Sequence, residues 1–294
     1  MLSIHQLTRA YGDKTVLDAV SFEVRPGRMT GFVGANGAGK TTTMRMIVGV
    51  LAPTAGDVRW NGAPLSTEQR RSFGYMPEER GLYPGQKVLD QLIFFGQLHG
   101  MTRDEARDRA QSLLARLGLT ERENDLLETL SLGNQQRVQI AASLIHRPTA
   151  LILDEPFSGL DPIAVDAMVA LLRDEVTPEM PVLFSSHQLD LVERLCDDLV
   201  ILSGGRLVAA GSVEELQSSQ DETYRIRYAD GADAGALRDL PGLRVLDADG
   251  STALVALDSV RPEQALVAAQ AVAPVTEFAR VVRPLSQIFR EATS

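Results

Sequence analysis

The run Gly34-Ala-Asn-Gly-Ala-Gly-Lys-Thr-Thr42 constrains this chain more than any other stretch. Gly34, Gly39, Lys40 and Thr41 fit the spacing G-x-x-x-x-G-K-[ST]. Glycines let backbone N–H groups turn inward and crowd a polyphosphate with no Cβ in the way. Lys40 has the reach for β- and γ-phosphate oxygens, and Thr41 offers a hydroxyl to Mg²⁺. Asn36, Gly37 and Thr42 belong to the same loop and complete the expected phosphate contacts. Met29 to Val33 reads as a short buried strand before the loop. Thr41 to Val50 reads as a helix after it, with an N-terminus that favours an anion. The stretch therefore predicts a nucleotide-binding α/β fold.

The 294 residues suffice for one large domain or two modest ones, and 44% hydrophobic content supports a sizeable core. The net charge of −10 argues against a nucleic-acid partner, which a basic face would serve. The single cysteine, Cys196, allows no internal disulfide and reads as a small buried apolar residue. The N-terminus lacks a basic-then-apolar signal, and no apolar run approaches the ~20 residues of a membrane helix. Any membrane role then needs a separate partner. Only three lysines (Lys14, Lys40, Lys87) stand against 26 arginines, and one of them is in the phosphate loop.

Along the chain, residues 2–9 and 16–24 read as strands, with Tyr11-Gly12 as a break between them. Asp57 to Trp60 leads into Asn61-Gly62, a hairpin signal. Ser72 to Met76 is a further strand. The loop from Pro77 to Pro84 carries Leu82 and Tyr83, both expected to be exposed. Helical periodicity over Val88–His99 and Arg103–Leu117 places a helical subdomain at about residues 85–147. Gly118 is a C-cap candidate, and Ser131 is suited to cap a helix running from Asn134 to His146. Ala150-Leu-Ile-Leu-Asp154 is a buried strand ending in a carboxylate. Pro181 to Ser186 is a strand delivering His187. Near Ser218 the character shifts. Residues 221–294 predict a small α+β module of ferredoxin-like pattern, ending in a helix over Leu285–Ala292. Residues 1–217 form the nucleotide-binding domain.

Five elements in order give this sequence its resemblance to the ATPase subunits of ATP-binding-cassette (ABC) transporters, over about residues 1–215. They are Tyr11, the phosphate loop, Leu130-Ser-Leu-Gly-Asn-Gln-Gln-Arg137, Leu151-Ile-Leu-Asp-Glu-Pro156, and Ser158-Gly-Leu-Asp161 with Ser186-His187. The resemblance implies a phosphate-loop cassette, with a RecA-like core, an antiparallel β subdomain and a helical subdomain. It implies that Tyr11 stacks on adenine and that Asp154 holds Mg²⁺ through water beside Thr41. Glu155 becomes the general base that polarises the attacking water, and His187 a donor to the γ-phosphate. Ser131, Gly133 and Asn134, with the amides of their helix, form a second anion site. In the family that site faces the nucleotide bound by the other subunit. One phosphate loop and one signature per chain then imply a second cassette, most simply a homodimer with Asp161 at its interface. ATP and Mg²⁺ are the implied cofactors.

The sequence departs from the family pattern at several points. Glu78 stands where the family has a metal-facing glutamine, adding a negative charge. Leu132 replaces the signature's first glycine, Asn134 its glutamine, and Ala35 a common proline. Leu82 and Tyr83 either anchor a membrane subunit or pack locally. The loop and the two-domain layout look most like sodium- and drug-exporter ATPases. Those work with separate permeases of the ABC-2 type, at the cytoplasmic face of the membrane. Two rivals stay open: a cassette ATPase acting on ribosomes or DNA, and a non-hydrolytic regulatory subunit.

Overall fold

A computed structural model describes residues 1–294 apart from 80, 219–222, 230, 259, 282–284 and 286–294. The chain divides into two compact units, Met1–Val213 and a second that continues from Glu214.

In the first unit, β1 (Leu2–Tyr11) and β2 (Lys14–Val24) form an antiparallel pair. β3 (Met29–Gly34) is buried at every residue and runs into α1 (Lys40–Ile47). β4 (Ala55–Trp60) and β5 (Ala63–Pro64) make the hairpin at Asn61-Gly62, and α2 (Thr67–Arg71) precedes β6 (Phe73–Met76). Three helices follow: α3 (Val88–Leu98), α4 (Arg103–Arg116) and α5 (Leu132–Leu144). The rest is β7 (Ala150–Leu153), α6 (Pro162–Glu175), β8 (Val182–Ser186), α7 (Leu189–Leu195), β9 (Asp198–Ser203) and β10 (Arg206–Ser212); α8 (Val213–Ser218) starts at the boundary and runs into the second unit.

Two sheets organise these strands. One is antiparallel, in the order β2-β1-β4-β5. The other has the order β10-β9-β3-β8-β7-β6, parallel throughout except for the hairpin strand β10. β3, β7 and β8 are buried along their whole length, as a parallel sheet covered on both faces requires. The carboxyl ends of β3, β7 and β8 carry Gly34, Asp154 and His187, so the sheet itself gathers the predicted chemistry at one edge. Glycine spacing sets how near α5 comes to this sheet. A Cβ on Gly74 of β6 would lie 2.3 Å from the Ser143 carbonyl oxygen of α5.

Several expectations are corrected. Strand β1 continues through Tyr11 instead of breaking there, because Tyr11 pairs with Lys14 across a tight turn. Helix α5 begins at Leu132, directly after its cap Ser131, and ends at Leu144. Leu82 is buried at 8% exposure, its side chain packed locally, while Tyr83 stays half exposed at 50%. Two short helices, α2 and α8, have no counterpart in the sequence reading.

The second unit holds β11 (Thr223–Tyr228), a 3₁₀ turn over Ala234–Asp239, β12 (Leu243–Asp249), β13 (Thr252–Leu257), α9 (Pro262–Val272) and β14 (Val275–Arg280). The sheet order is β12-β13-β11-β14, antiparallel throughout, which is the ferredoxin-like order. Tyr224, Ile226, Tyr228, Val255 and Ala269 sit in its core. Of the terminal helix expected over Leu285–Ala292, all but Leu285 lies outside the described residues.

Candidate functional site

Glycine opens the site. Gly39 caps α1 at φ 104°, a left-handed conformation that costs glycine little, and it offers no side chain to the first-turn amides. No acidic residue occupies that turn either. The N-terminal N–H groups of α1 are therefore left for a ligand anion. Lys40 is buried at 8% exposure, and its ammonium donates to the carbonyls of Gly34 at 2.7 Å and Ala35 at 3.4 Å.

A cavity of about 260 Å³ opens beside this loop. Asn36, Gly37, Gly39, Lys40, Thr41 and Thr42 line one side, Glu78, Asp154 and Glu155 another, and Val16 of β2 contributes an apolar wall. The sequence reading missed Val16, an ordinary strand residue brought in by a separate sheet. Three carboxylates face one lysine among these lining residues. That balance disfavours a bare polyanion and suits one that arrives with a cation.

Asp154 ends β7 at 1% exposure. Its Oδ1 accepts from Ser185 Oγ at 2.6 Å, whereas its buried Oδ2 has no hydrogen-bond partner among the described residues. A buried carboxylate oxygen without a donor is costly unless a ligand completes it. With Thr41 and Glu78 on the same cavity, this all-oxygen donor set fits Mg²⁺. Burial, and then the Asp154 carboxylate, push the nearby Tyr75 phenol above its usual range, keeping it protonated.

Glu155 is unusual in its backbone. Its φ is +51°, where a non-glycine residue carries strain. Its N–H donates to Ser185 Oγ at 2.8 Å, and its carbonyl accepts from Gln136 Nε2 at 3.0 Å. So held, its Oε2 lies 2.9 Å from His187 Nδ1. The Glu155 side chain is 11% exposed and that of His187 53%, so the pair spans the rim of the site. Ser185 thus links both acidic residues from the neighbouring strand. Sequence reasoning passed over it, although it lies two residues before His187.

The structure does not bring every predicted residue to this cavity. Tyr11 is half exposed, with the Arg9 guanidinium 4.3 Å over its ring, and it does not line the cavity. Ser131, Gly133 and Asn134 also lie off the lining, at the start of α5. Ser131 Oγ accepts from the Asn134 amide at 3.3 Å, capping the helix. A Cβ on Gly133 would come 3.3 Å from Leu160, so the signature packs beside the Ser158–Asp161 loop. Asp161 caps α6 through the Ala164 amide at 2.8 Å. Ser131 and Leu132 are exposed, leaving the signature open to solvent.

A phosphate loop, an acidic strand end with an unsatisfied oxygen, and a carboxylate–histidine pair define the nucleotide-hydrolysing phosphate-loop class. Comparison with known proteins carries this further. The ABC transporter family profile matches residues 17–158. An uncharacterised ABC transporter ATP-binding protein of Bacillus subtilis, YhaQ, is 43% identical over 219 residues, 74% of this chain and 74% of that protein. The linearmycin resistance ATP-binding protein LnrL of the same organism is 36% identical, covering 74% of this chain and 71% of its own length. The Nod factor export ATP-binding protein I of Paraburkholderia xenovorans is 35% identical, covering 81% and 79%. Among solved structures, an ATP-binding subunit of an ABC transporter superposes with TM-score 0.69 at 33% identity, over 74% of this chain and 92% of that one. The chain belongs to the ABC transporter family, as an ATP-binding subunit. As such it binds and hydrolyses ATP, and it works with a membrane permease. No described helix is long and apolar enough to cross a membrane.

Proposed function

We propose that this chain powers export through a separate permease of the ABC-2 type, as one half of a homodimer at the cytoplasmic face of the membrane. Export is supported by the relatives named for Nod factor export and linearmycin resistance. Residues 1–217 are the ATP-binding domain and residues 221–294 an accessory domain. Asn36, Gly37, Gly39, Lys40, Thr41 and Thr42 cradle the phosphates. Thr41, Glu78 and Asp154 hold Mg²⁺, which when bound neutralises charge on the polyphosphate. Glu155 accepts a proton from the attacking water, and His187 keeps its carboxylate aimed and donates toward the γ-phosphate. Tyr11 stacks on adenine once Arg9 yields its ring face. Ser131, Gly133 and Asn134 receive the γ-phosphate held by the second copy, so nucleotide closes the dimer and hydrolysis reopens it. Closure and reopening drive the permease between two states.

The observation that carries this reading is the Glu155–His187 contact at 2.9 Å beside the unsatisfied Asp154 oxygen. Glu155→Gln is the test. The variant is expected to bind ATP, lose at least 100-fold in turnover, and elute as a dimer when ATP is present. Turnover like that of the native chain sinks the base assignment. Purification from membranes should bring down an integral permease, and a nucleic acid or ribosomal partner in its place overturns the export reading.

A further inference from the structure

Three glutamines near the start of α5 each hold two backbone carbonyls of a neighbouring loop. Gln135 Nε2 donates to Leu127 O at 3.1 Å and Leu130 O at 2.9 Å, closing the turn before the signature. Gln136 Nε2 donates to Glu155 O and Pro156 O, both at 3.0 Å. Gln139 Nε2 donates to Pro77 O at 2.9 Å and Glu79 O at 3.2 Å. Gln136 and Gln139 are three residues apart and share one face of the helix. The loops they hold deliver Glu155 and Glu78, two of the three carboxylates of the nucleotide cavity. Gln139 grips the carbonyls on either side of Glu78.

We infer that Gln136 and Gln139 are positioning residues for hydrolysis, bracing the backbones of Glu155 and Glu78 against the helix that begins at the signature. This rests on the reading of Glu155 as the general base. The physical need is clearest at Glu155. A left-handed non-glycine backbone is strained and persists only where its surroundings over-determine it. Here Ser185 takes the N–H, and Gln136 and the Ser158 amide share the carbonyl. Ser185 comes from β8 and Ser158 from the loop itself. Among the described residues, Gln136 is the one hydrogen-bond link from that peptide to α5. Loss of its donor frees the peptide to relax toward ordinary φ and swings the carboxylate away from His187. A misplacement of about 1 Å at a reacting group costs on the order of 100-fold in rate. One rigid element then carries the signature at its end and two site carboxylates on its flank, so a displacement of the signature reaches both.

Gln136→Met and Gln136→Lys test this in the full chain. Methionine keeps the length and removes the donor, while lysine keeps a donor with the reach for two carbonyls. Gln136→Met is expected to lower kcat at least ten-fold while KM and the affinity for a fluorescent ATP analogue stay within two-fold. Gln136→Lys is expected to recover most of the loss. A filler role in packing predicts the reverse order, with methionine tolerated and lysine damaging, and that result overturns the inference. If Gln136→Met shows no cooperative melting, Gln136→Asn replaces it, because its amide is one methylene short of both carbonyls. Full turnover in that variant also overturns the inference. Glu155→Gln separates the two claims. Turnover retained there takes down the base assignment and this inference together, whereas an inactive Glu155→Gln beside an unimpaired Gln136→Met removes the inference alone.

Discussion

At Asp154 the fold leaves one carboxylate oxygen satisfied by Ser185 and the other with no donor among the described residues, at 1% exposure. That asymmetry leaves a buried acceptor oxygen that a bound cation would complete. Glu78 deepens it, because a glutamine would bring no charge to a cavity that already pairs two other carboxylates with Lys40. If Glu78 contributes an oxygen to Mg²⁺, Glu78→Gln raises the Mg²⁺ needed for half-maximal turnover by about ten-fold. Titrating Mg²⁺ against hydrolysis decides it, since a lowered requirement means that the Glu78 charge opposes the ion. The residue types of the site were legible from the sequence because each motif is local. Gly34 to Thr42 and Asp154-Glu155 are contiguous, and their chemistry follows from spacing. Val16, Ser185, Gln136 and Gln139 were not legible. Their partners lie 19 residues or more away in the hydrogen bonds of the three polar ones; Gln136 sits within the signature and Ser185 beside Ser186-His187, but neither motif reveals the distant partner.

Among the elements, caps were read more reliably than short helices. Ser131 caps α5 as expected, while the capping of α6 by Asp161 was not anticipated. The box formed by Ser66 and Gln69 starts α2, but the five-residue helix is too short to show periodicity. The ends of α3 and α5 supply a feature that no motif announced. His99 follows α3 and His146 follows α5, and their rings stack at 3.7 Å. Burial, and then the neighbouring His99, push His146 down to about 4. Burial lowers His99 as well. Glu105, Asp108, Arg109 and Arg147 line the same cavity. The folded chain therefore keeps His146 neutral, while the unfolded chain protonates it near its ordinary value of ~6.5. The unfolded state binds more protons between these two values. Stability is full above about pH 6.5 and falls as pH drops towards 4. The loss is on the order of 2 kcal/mol, discounted for partial solvent screening of the half-buried ring. His146→Phe keeps the stack and removes the titration. Thermal melts from pH 7 down to pH 4 should show a flatter acid limb in that variant, and identical slopes rule His146 out as a source.

Among the described residues, each compact unit holds an apolar cluster of its own. One gathers residues such as Leu2, Phe22, Phe32, Met44, Ile152 and Leu202, and the other Tyr224, Ile226, Leu237, Val255 and Ala269. Each draws its buried members from one compact unit. A hydrophobic cluster with its own hydrogen-bonded sheet satisfies the conditions for independent folding. The expected boundary, 217/221, and the division into compact units, at Val213/Glu214, fall within a few residues of each other. The alternation of buried strand and helix marks the first unit, and loss of glycine-rich motifs after Ser218 marks the change. The pairing of β11 between β13 and β14, by contrast, is long-range and leaves no local trace. All cavity residues fall between Val16 and Glu155, and the signature and His187 also precede the boundary. Residues 1–217 expressed alone are therefore expected to melt cooperatively and to bind ATP within two-fold of the full chain. Calorimetry of the full chain should show a transition that the shortened chain lacks. A shortened chain that aggregates, or that binds ATP ten-fold more weakly, shows instead that the accessory domain is part of the nucleotide-binding fold.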